Sequence, residues 1–264
     1  MGAQLSDERL QNAIETSDID IPEIPGQITH LKIPGVRGYC SPSRNATLNR
    51  VGGARLKIDQ VDGVIARVRE FFAQRRSGFT WMVGPNTVPT DLGERLLAAG
   101  LTKDAESAGM ALTDLTHPIP ATAPVLVREV SDDAYRAASG MIARAFDLTE
   151  PVVGKLIDSQ LVMRNRIAQH HYLAYLDTGQ PVAYGSIMYL PSLPVALLGG
   201  AATLIEHRGK GIYTTLLAVR IARAHADGRA ATIVQADRAT SAPICAKYGF
   251  RELCHLTAYS YPAE

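Results

Sequence analysis

The chain has 264 residues, with 27 Lys and Arg against 26 Asp and Glu, and a formal net charge of +1. That length suits two modest domains or one large one, and a composition that is 46% hydrophobic and 20% charged supports a packed core and excludes wholesale disorder. Balanced charge removes the electrostatic basis for a nucleic-acid or anionic-membrane partner, so neither is expected. The cysteines Cys40, Cys245 and Cys254 are few, odd in number and far apart. None has zinc-ligand spacing, so reduced thiols, a cytoplasmic location and no metal are expected. The first residues carry acids and no apolar run, which speaks against a signal peptide. Gly2 followed by Ser6 matches a myristoylation signature only superficially, because nothing polybasic follows. The longest apolar stretch, Leu193 to Ile205, contains Pro194, Gly199 and Gly200 and reads as a buried strand rather than a membrane span.

In chain order, residues 1–30 read as a polar lead-in with prolines at Pro22 and Pro25. Val61, Val64, Ile65, Val68, Phe71 and Phe72 recur at helical spacing and predict a helix over 59–76, stopped by Gly78. Phe79 to Val83 is a short aromatic strand, 91–99 a short helix closed by Gly100, and 109–115 a further strand. The segment 117–124 has three prolines in eight residues and predicts a linker. It separates a domain over 31–116 from one over 125–264.

Beyond the linker the pattern predicts strand 125–130, helices 132–145 and 151–168, and strands 171–176, 181–189 and 195–204. Then come a glycine loop, a helix over 213–226 stopped at Gly228, strand 231–235, short helix 243–247 and strand 255–261. This order is an α/β arrangement with a mixed β-sheet flanked by helices. The run from Phe79 to Leu115 echoes the run from Ala231 to Tyr261: strand, proline-containing loop, short helix, Gly-apolar closure, strand. Shared layout alone is common, but the matching closure favours a duplication. Arg50-Val51-Gly52-Gly53-Ala54 has glycines separated from the helix that follows, so a first copy would be degenerate and without a phosphate site.

The chemistry concentrates in Leu204-Ile205-Glu206-His207-Arg208-Gly209-Lys210-Gly211-Ile212-Tyr213, between a strand and a helix. A glycine loop entering a helix presents unpaired amides at the positive end of the helix dipole, which suits a phosphate or pyrophosphate. Arg208 and Lys210 add positive charge. A Walker A loop would need glycine where Leu204 stands and Ser or Thr where Gly211 stands, and a dinucleotide fingerprint would need glycine at Thr214.

Strand, Arg-Gly-Lys-Gly-Ile, amphipathic helix, strand, short helix and Gly249-Phe250 together resemble the GNAT superfamily of acyl-CoA-dependent N-acyltransferases over residues 125–261. Arg208 and Gly211 fit the family's loop pattern, while Tyr213 replaces a small residue. The resemblance implies a tandem of a degenerate and an intact GNAT-like copy, with acetyl-CoA as co-substrate. It implies that Ala201, Ala202 and Thr203 bond the pantetheine arm through backbone groups. Arg208, Gly209, Lys210, Gly211, Ile212, Tyr213 and Thr214 would hold the pyrophosphate.

The proton-transfer groups are open. Cys245 stands where many relatives place an acidic tyrosine, and a buried structural thiol is its plainer reading. Tyr248, three residues on, would leave the helix in a shifted direction. Glu206 and His207 flank the loop, Tyr184 and Tyr189 lie on a strand, and His170-His171 lacks partners for a metal. Asp147 and Glu150 are candidates for attracting a cationic amine or for helix capping, as Ser241 is for capping or a cofactor contact. The leading expectation is acetyl transfer to a primary amine of a small molecule or protein. The rival is a non-catalytic acyl-CoA sensor. A third reading, compatible with the first, makes the first half a packing or homodimerisation partner and the second half the enzyme.

Overall fold

The computed structural model describes residues 5–263, so Gly2 lies outside the described residues. The elements follow the order α1 (Asp7–Thr16), β1 (Thr29–His30), β2 (Arg37–Cys40), β3 (Arg50–Gly52), α2 (Val61–Ala73), β4 (Phe79–Val83), α3 (Leu92–Ala98), β5 (Thr102–Leu112) and β6 (Leu126–Glu129). They continue with α4 (Asp132–Ala137), α5 (Ser139–Phe146), α6 (Glu150–Met163), β7 (Gln169–Tyr175), β8 (Pro181–Tyr189), β9 (Val195–Thr203), α7 (Ile212–Ala226), β10 (Ala231–Asp237), α8 (Ser241–Lys247) and β11 (Arg251–Tyr261). The fold is α/β, as the pattern predicts.

Two compact units divide the chain. The first takes the residues up to Met110, together with Gln235–Cys245 and the residues from Glu252 on. Its strands lie in the order β1-β2-β3-β4-β11-β5. β3 and β4 are parallel (Val51 opposite Trp81), and β4 and β11 are antiparallel, with Tyr261 opposite Phe79. The last strand of the chain therefore belongs to the unit built from its first residues. Arg69 of α2 seals that arrangement: it donates to the Tyr261 hydroxyl at 2.5 Å and lies 4.6 Å over the ring, 192 residues away in sequence. The stripe expected on α2 is the face that packs, since Val61, Val64, Ile65, Val68 and Phe72 are buried and Phe72 stacks on Phe79 at 4.7 Å. The chain leaves this helix at Arg76, in the left-handed region at φ 50°, two residues ahead of the expected stop at Gly78. The lead-in is not featureless: α1 is capped by Ser6, which accepts from the Arg9 amide, and its Leu10 and Ile14, one turn apart, are fully buried.

The second unit comprises Ala111–Val234 and Ala246–Arg251, and its strands run β10-β9-β8-β7-β6. β9 and β10 are parallel and the other neighbours antiparallel. The helix expected over 132–145 is two helices, broken at Ala138, with Ser131 capping the first. Helices α4, α5 and α6 pack with β7 and β8 around a core containing Tyr135, Ile142, Val153, Ile157, Leu173 and Tyr184. The proline-rich stretch lies in this unit, against the start of α7: the Thr122 hydroxyl donates to the Gly211 carbonyl at 3.3 Å, and the Ala123 amide to Thr215 Oγ1 at 3.2 Å.

Candidate functional site

β9 runs nine residues, but its parallel pairing with β10 ends at Leu197 opposite Ile233. The remainder, down to Thr203, is held only by β8. Which backbone groups it leaves open follows from parity. In an antiparallel pair, alternate residues turn their amide and carbonyl towards the neighbour or away from it. Leu204 N donates to Val182 O at 2.9 Å, so the Ala202–Tyr184 pair is hydrogen-bonded as well. Ala201 and Thr203 face away from β8, on the side that β10 has left. Ala202 uses its backbone on Tyr184, which narrows the expected trio Ala201, Ala202, Thr203 to two residues with groups on the open edge. Thr203 O accepts from Arg208 Nε at 3.0 Å, leaving its amide and both groups of Ala201 on that side.

From Thr203 the chain makes a 3-10 turn over Ile205–His207 and enters α7 through Arg208 to Gly211. Gly209 and Gly211 sit at φ 73° and 76°, where a Cβ is disfavoured. The surroundings of the two glycines differ. A Cβ on Gly209 would meet open space, whereas one on Gly211 would stand 2.4 Å from Thr122 Oγ1. The first bond inside α7 is Thr215 N to Gly211 O at 3.0 Å, so the helix supplies no acceptor to the amides ahead of it, and no side chain caps it. Ile212 and Thr214 are buried and Tyr213 half-buried. The two cations fasten the loop: Arg208 donates to Thr203 O and, through Nη2, to Ala145 O at 3.3 Å, and Lys210 Nζ donates to Glu206 O at 3.0 Å. Glu206 pairs with Arg144 at 2.8 Å, and its own amide and that arginine hold its carboxyl below the usual range.

The candidates for proton transfer fall into separate groups. Tyr184 is buried, with its hydroxyl 2.9 Å from that of Tyr135 and 2.8 Å from His171 Nδ1; the Tyr135 hydroxyl also bonds Gln160. Tyr135 stacks on His171 with centroids 4.1 Å apart. Burial pushes Tyr184 up to about 12 and, with Arg164 nearby, holds His171 down at about 3, so His171 is neutral. His170 lies in a different cluster: Glu129 at 2.6 Å, Arg223 bridging Glu129 and Asp227 at 2.7 Å each, and Tyr189 bonded to Asp227. Burial and Asp227 raise the Tyr189 hydroxyl. Among the described residues no cluster could hold a metal. Cys245 is fully buried and Tyr248 is half-buried beside Lys247. Asp147, at φ 56°, ends α5, and Glu150, the first residue of α6, accepts from the Ser139 hydroxyl at 2.8 Å. Ser241 is the first residue of α8 itself, and Asp237 instead accepts from the Ala239 and Thr240 amides ahead of that helix.

Sequence reasoning missed two residues, one bonded to the loop at Gly211 and one to β9 at Gly199. Thr122 was absorbed into the linker. Arg220 lies on α7, buried to 1%, among Leu216, Leu217, Ile221 and Ala224. Its signal was available: a charge interrupting an apolar stripe.

Neither a family model nor a curated protein matches the chain. Solved structures do. A GCN5-related N-acetyltransferase from Kribbella flavida superposes with a TM-score of 0.62 at 17% identity, covering 90% of this chain and 91% of that one. A GCN5-related N-acetyltransferase from Sphaerobacter thermophilus gives 0.61 at 16%, covering 86% and 76%. A tandem GNAT protein from the clavulanic acid biosynthesis pathway gives 0.57 at 17%, covering 97% and 88%. At these identities the likeness is one of backbone architecture: the chain has the GNAT fold.

Proposed function

We propose that the chain is an acyl-CoA-dependent N-acyltransferase that moves an acetyl group from acetyl-CoA to a primary amine by direct transfer, in the cytoplasm. The observation that carries this is the continuity of one strand and one loop. β9 leaves β10 at Leu197, presents Ala201 and the Thr203 amide on an open edge, and leads within a few residues to the glycine-bounded start of α7. Such an arrangement matches a ligand with an amide-rich arm followed by a pyrophosphate. In this assignment Ala201 and Thr203 bond the arm, and the amides of Gly209 to Thr214 take the pyrophosphate. Arg208 and Lys210 act by holding the loop and adding charge.

The transfer needs a neutral amine to attack the thioester carbonyl. The C–N bond forms, the C–S bond breaks, the amine nitrogen loses a proton and the departing thiolate gains one. An amide on the open edge of β9 supplies polarisation of the carbonyl oxygen. The first unit is the degenerate copy in this reading. Its β3 and β4 are parallel like β9 and β10, but the seam beyond them is closed by Val88 N to Ala54 O and Leu56 N to Val88 O, both at 2.9 Å.

Burial of Cys245 at the place of the relatives' tyrosine favours the second reading, a binding module that senses acyl-CoA. Calorimetric titration with acetyl-CoA, followed by assay of thiol release with a panel of primary amines, separates them. Binding with turnover supports the enzyme, binding with no turnover on any amine supports the sensor, and no binding refutes both.

A further inference from the structure

We propose that Arg220 is a positioning residue for the thioester arm: it pins the bulge that sets which backbone groups β9 presents. This rests on the acyl-CoA reading above. The register of β8 and β9 shifts between Gly185, opposite Ala201, and Ile187, opposite Leu198. Two steps on β8 match three on β9, so β9 carries one extra residue at Gly199–Gly200. The extra residue changes the parity. Above the bulge, Leu190 N donates to Val195 O, which makes Leu197 opposite Met188 a hydrogen-bonded pair and turns Ala196 and Leu198 towards β10. Below it, Ala201 and Thr203 face the open side. Without the bulge the same strand would present Gly200 and Ala202 there, and every later side chain would change face.

A bulge leaves carbonyls without ladder partners, and Arg220 supplies donors to them. Its Nη1 donates to Ser186 O at 3.1 Å and to Gly199 O at 3.2 Å, one on each strand across the irregularity. Nε donates to Leu216 O at 3.2 Å, fixing the side chain against its own helix. The site is filled from each side. A Cβ on Gly185 would come within 3.3 Å of the guanidinium, one on Gly199 within 2.3 Å of Ser186 Oγ, and one on Gly200 within 3.2 Å of the Phe146 ring. One guanidinium nitrogen spans both carbonyls while Nε of the same rigid plane is held on α7, which a lysine ammonium on a flexible stem does less well. An apolar residue would satisfy the helix stripe and neither carbonyl.

The test compares acetyl-CoA with ADP, which carries the pyrophosphate without the arm, on the full chain. In Arg220→Met, the Kd for acetyl-CoA should rise at least tenfold while that for ADP stays within threefold of wild type. Arg220→Lys should fall between. If Arg220→Met does not fold, Gly185→Ala, which presses on the guanidinium, should give the same selective loss in milder form. Unchanged acetyl-CoA affinity, or an equal loss for both ligands, overturns the positioning role. A wild-type chain that binds neither ligand refutes the acyl-CoA reading itself.

Discussion

Gly209 offers a direct test of the phosphate loop, because a side chain there meets open space whereas Gly211 is blocked by Thr122. Gly209→Asp places a carboxylate beside the α7 amides, and Gly209→Asn gives the same shape without the charge. Both residues tolerate the left-handed region that φ 73° requires, so the backbone cost is shared. A carboxylate about 6 Å from a doubly charged pyrophosphate, at an effective dielectric of about 40–80 for this exposed loop, is repelled by roughly 1.4–2.8 kcal/mol. The Asp variant should therefore bind acetyl-CoA roughly tenfold to hundredfold more weakly than the Asn variant, by calorimetry at low salt. Raising the ionic strength to about 1 M shortens the Debye length to about 3 Å and should shrink the ratio towards one. Equal affinities for the two variants at low salt would refute the placement of a phosphate at this loop.

Arg208→Ala removes the donors to Thr203 O and Ala145 O and should cost about 1 kcal/mol. A thermal melt should show a drop of about 2–4 °C for a chain of this size, together with weaker acetyl-CoA binding. Tyr184→Phe removes the hydroxyl shared by Tyr135 and His171, and should lower stability by about 1–3 kcal/mol while leaving kcat for the best amine within threefold. A large loss of kcat at unchanged stability would make Tyr184 a participant in proton transfer. His171 is held neutral at about 3, below its unfolded value of about 6.5, so the unfolded state binds its proton first as pH falls. Its contribution is complete above about pH 6.5 and declines by up to about 1.4 kcal/mol per pH unit towards pH 3. In His171→Phe, denaturant midpoints measured from pH 7 to 4 should fall less steeply than in wild type; parallel slopes would count against this account.

Much of the second unit was legible because its signals are local. The period of β8 and β9, the glycine loop and the stripe on α7 each lie within one element. The misses share a different cause. The polar residues of α1 conceal the pair Leu10 and Ile14, whose burial depends on what packs over them. The Asp132–Ala145 pattern has no marker at Ala138, where the helix breaks. Arg76 adopts a conformation that glycine favours, while Gly78, two residues later, draws the eye. Which backbone groups of Ala201, Ala202 and Thr203 lie on the open edge is decided by a one-residue bulge, which leaves no mark in the sequence beyond the pair Gly199-Gly200. Arg220 was visible as an anomaly, but its role needed the two carbonyls it joins.

The pairing of β11 with β4 has a consequence in time. During synthesis α2, β4 and α3 emerge early, yet the strand that covers one edge of β4 is made only after the whole second unit, and Arg69 waits 192 residues for Tyr261. Until then the nascent first unit exposes an unpaired edge with aromatic neighbours, a surface prone to mispairing. A clone cut at the proline-rich stretch would omit that strand and leave the first unit unfinished. Adding residues 251–261 back as a separate peptide is then the natural way to complete it.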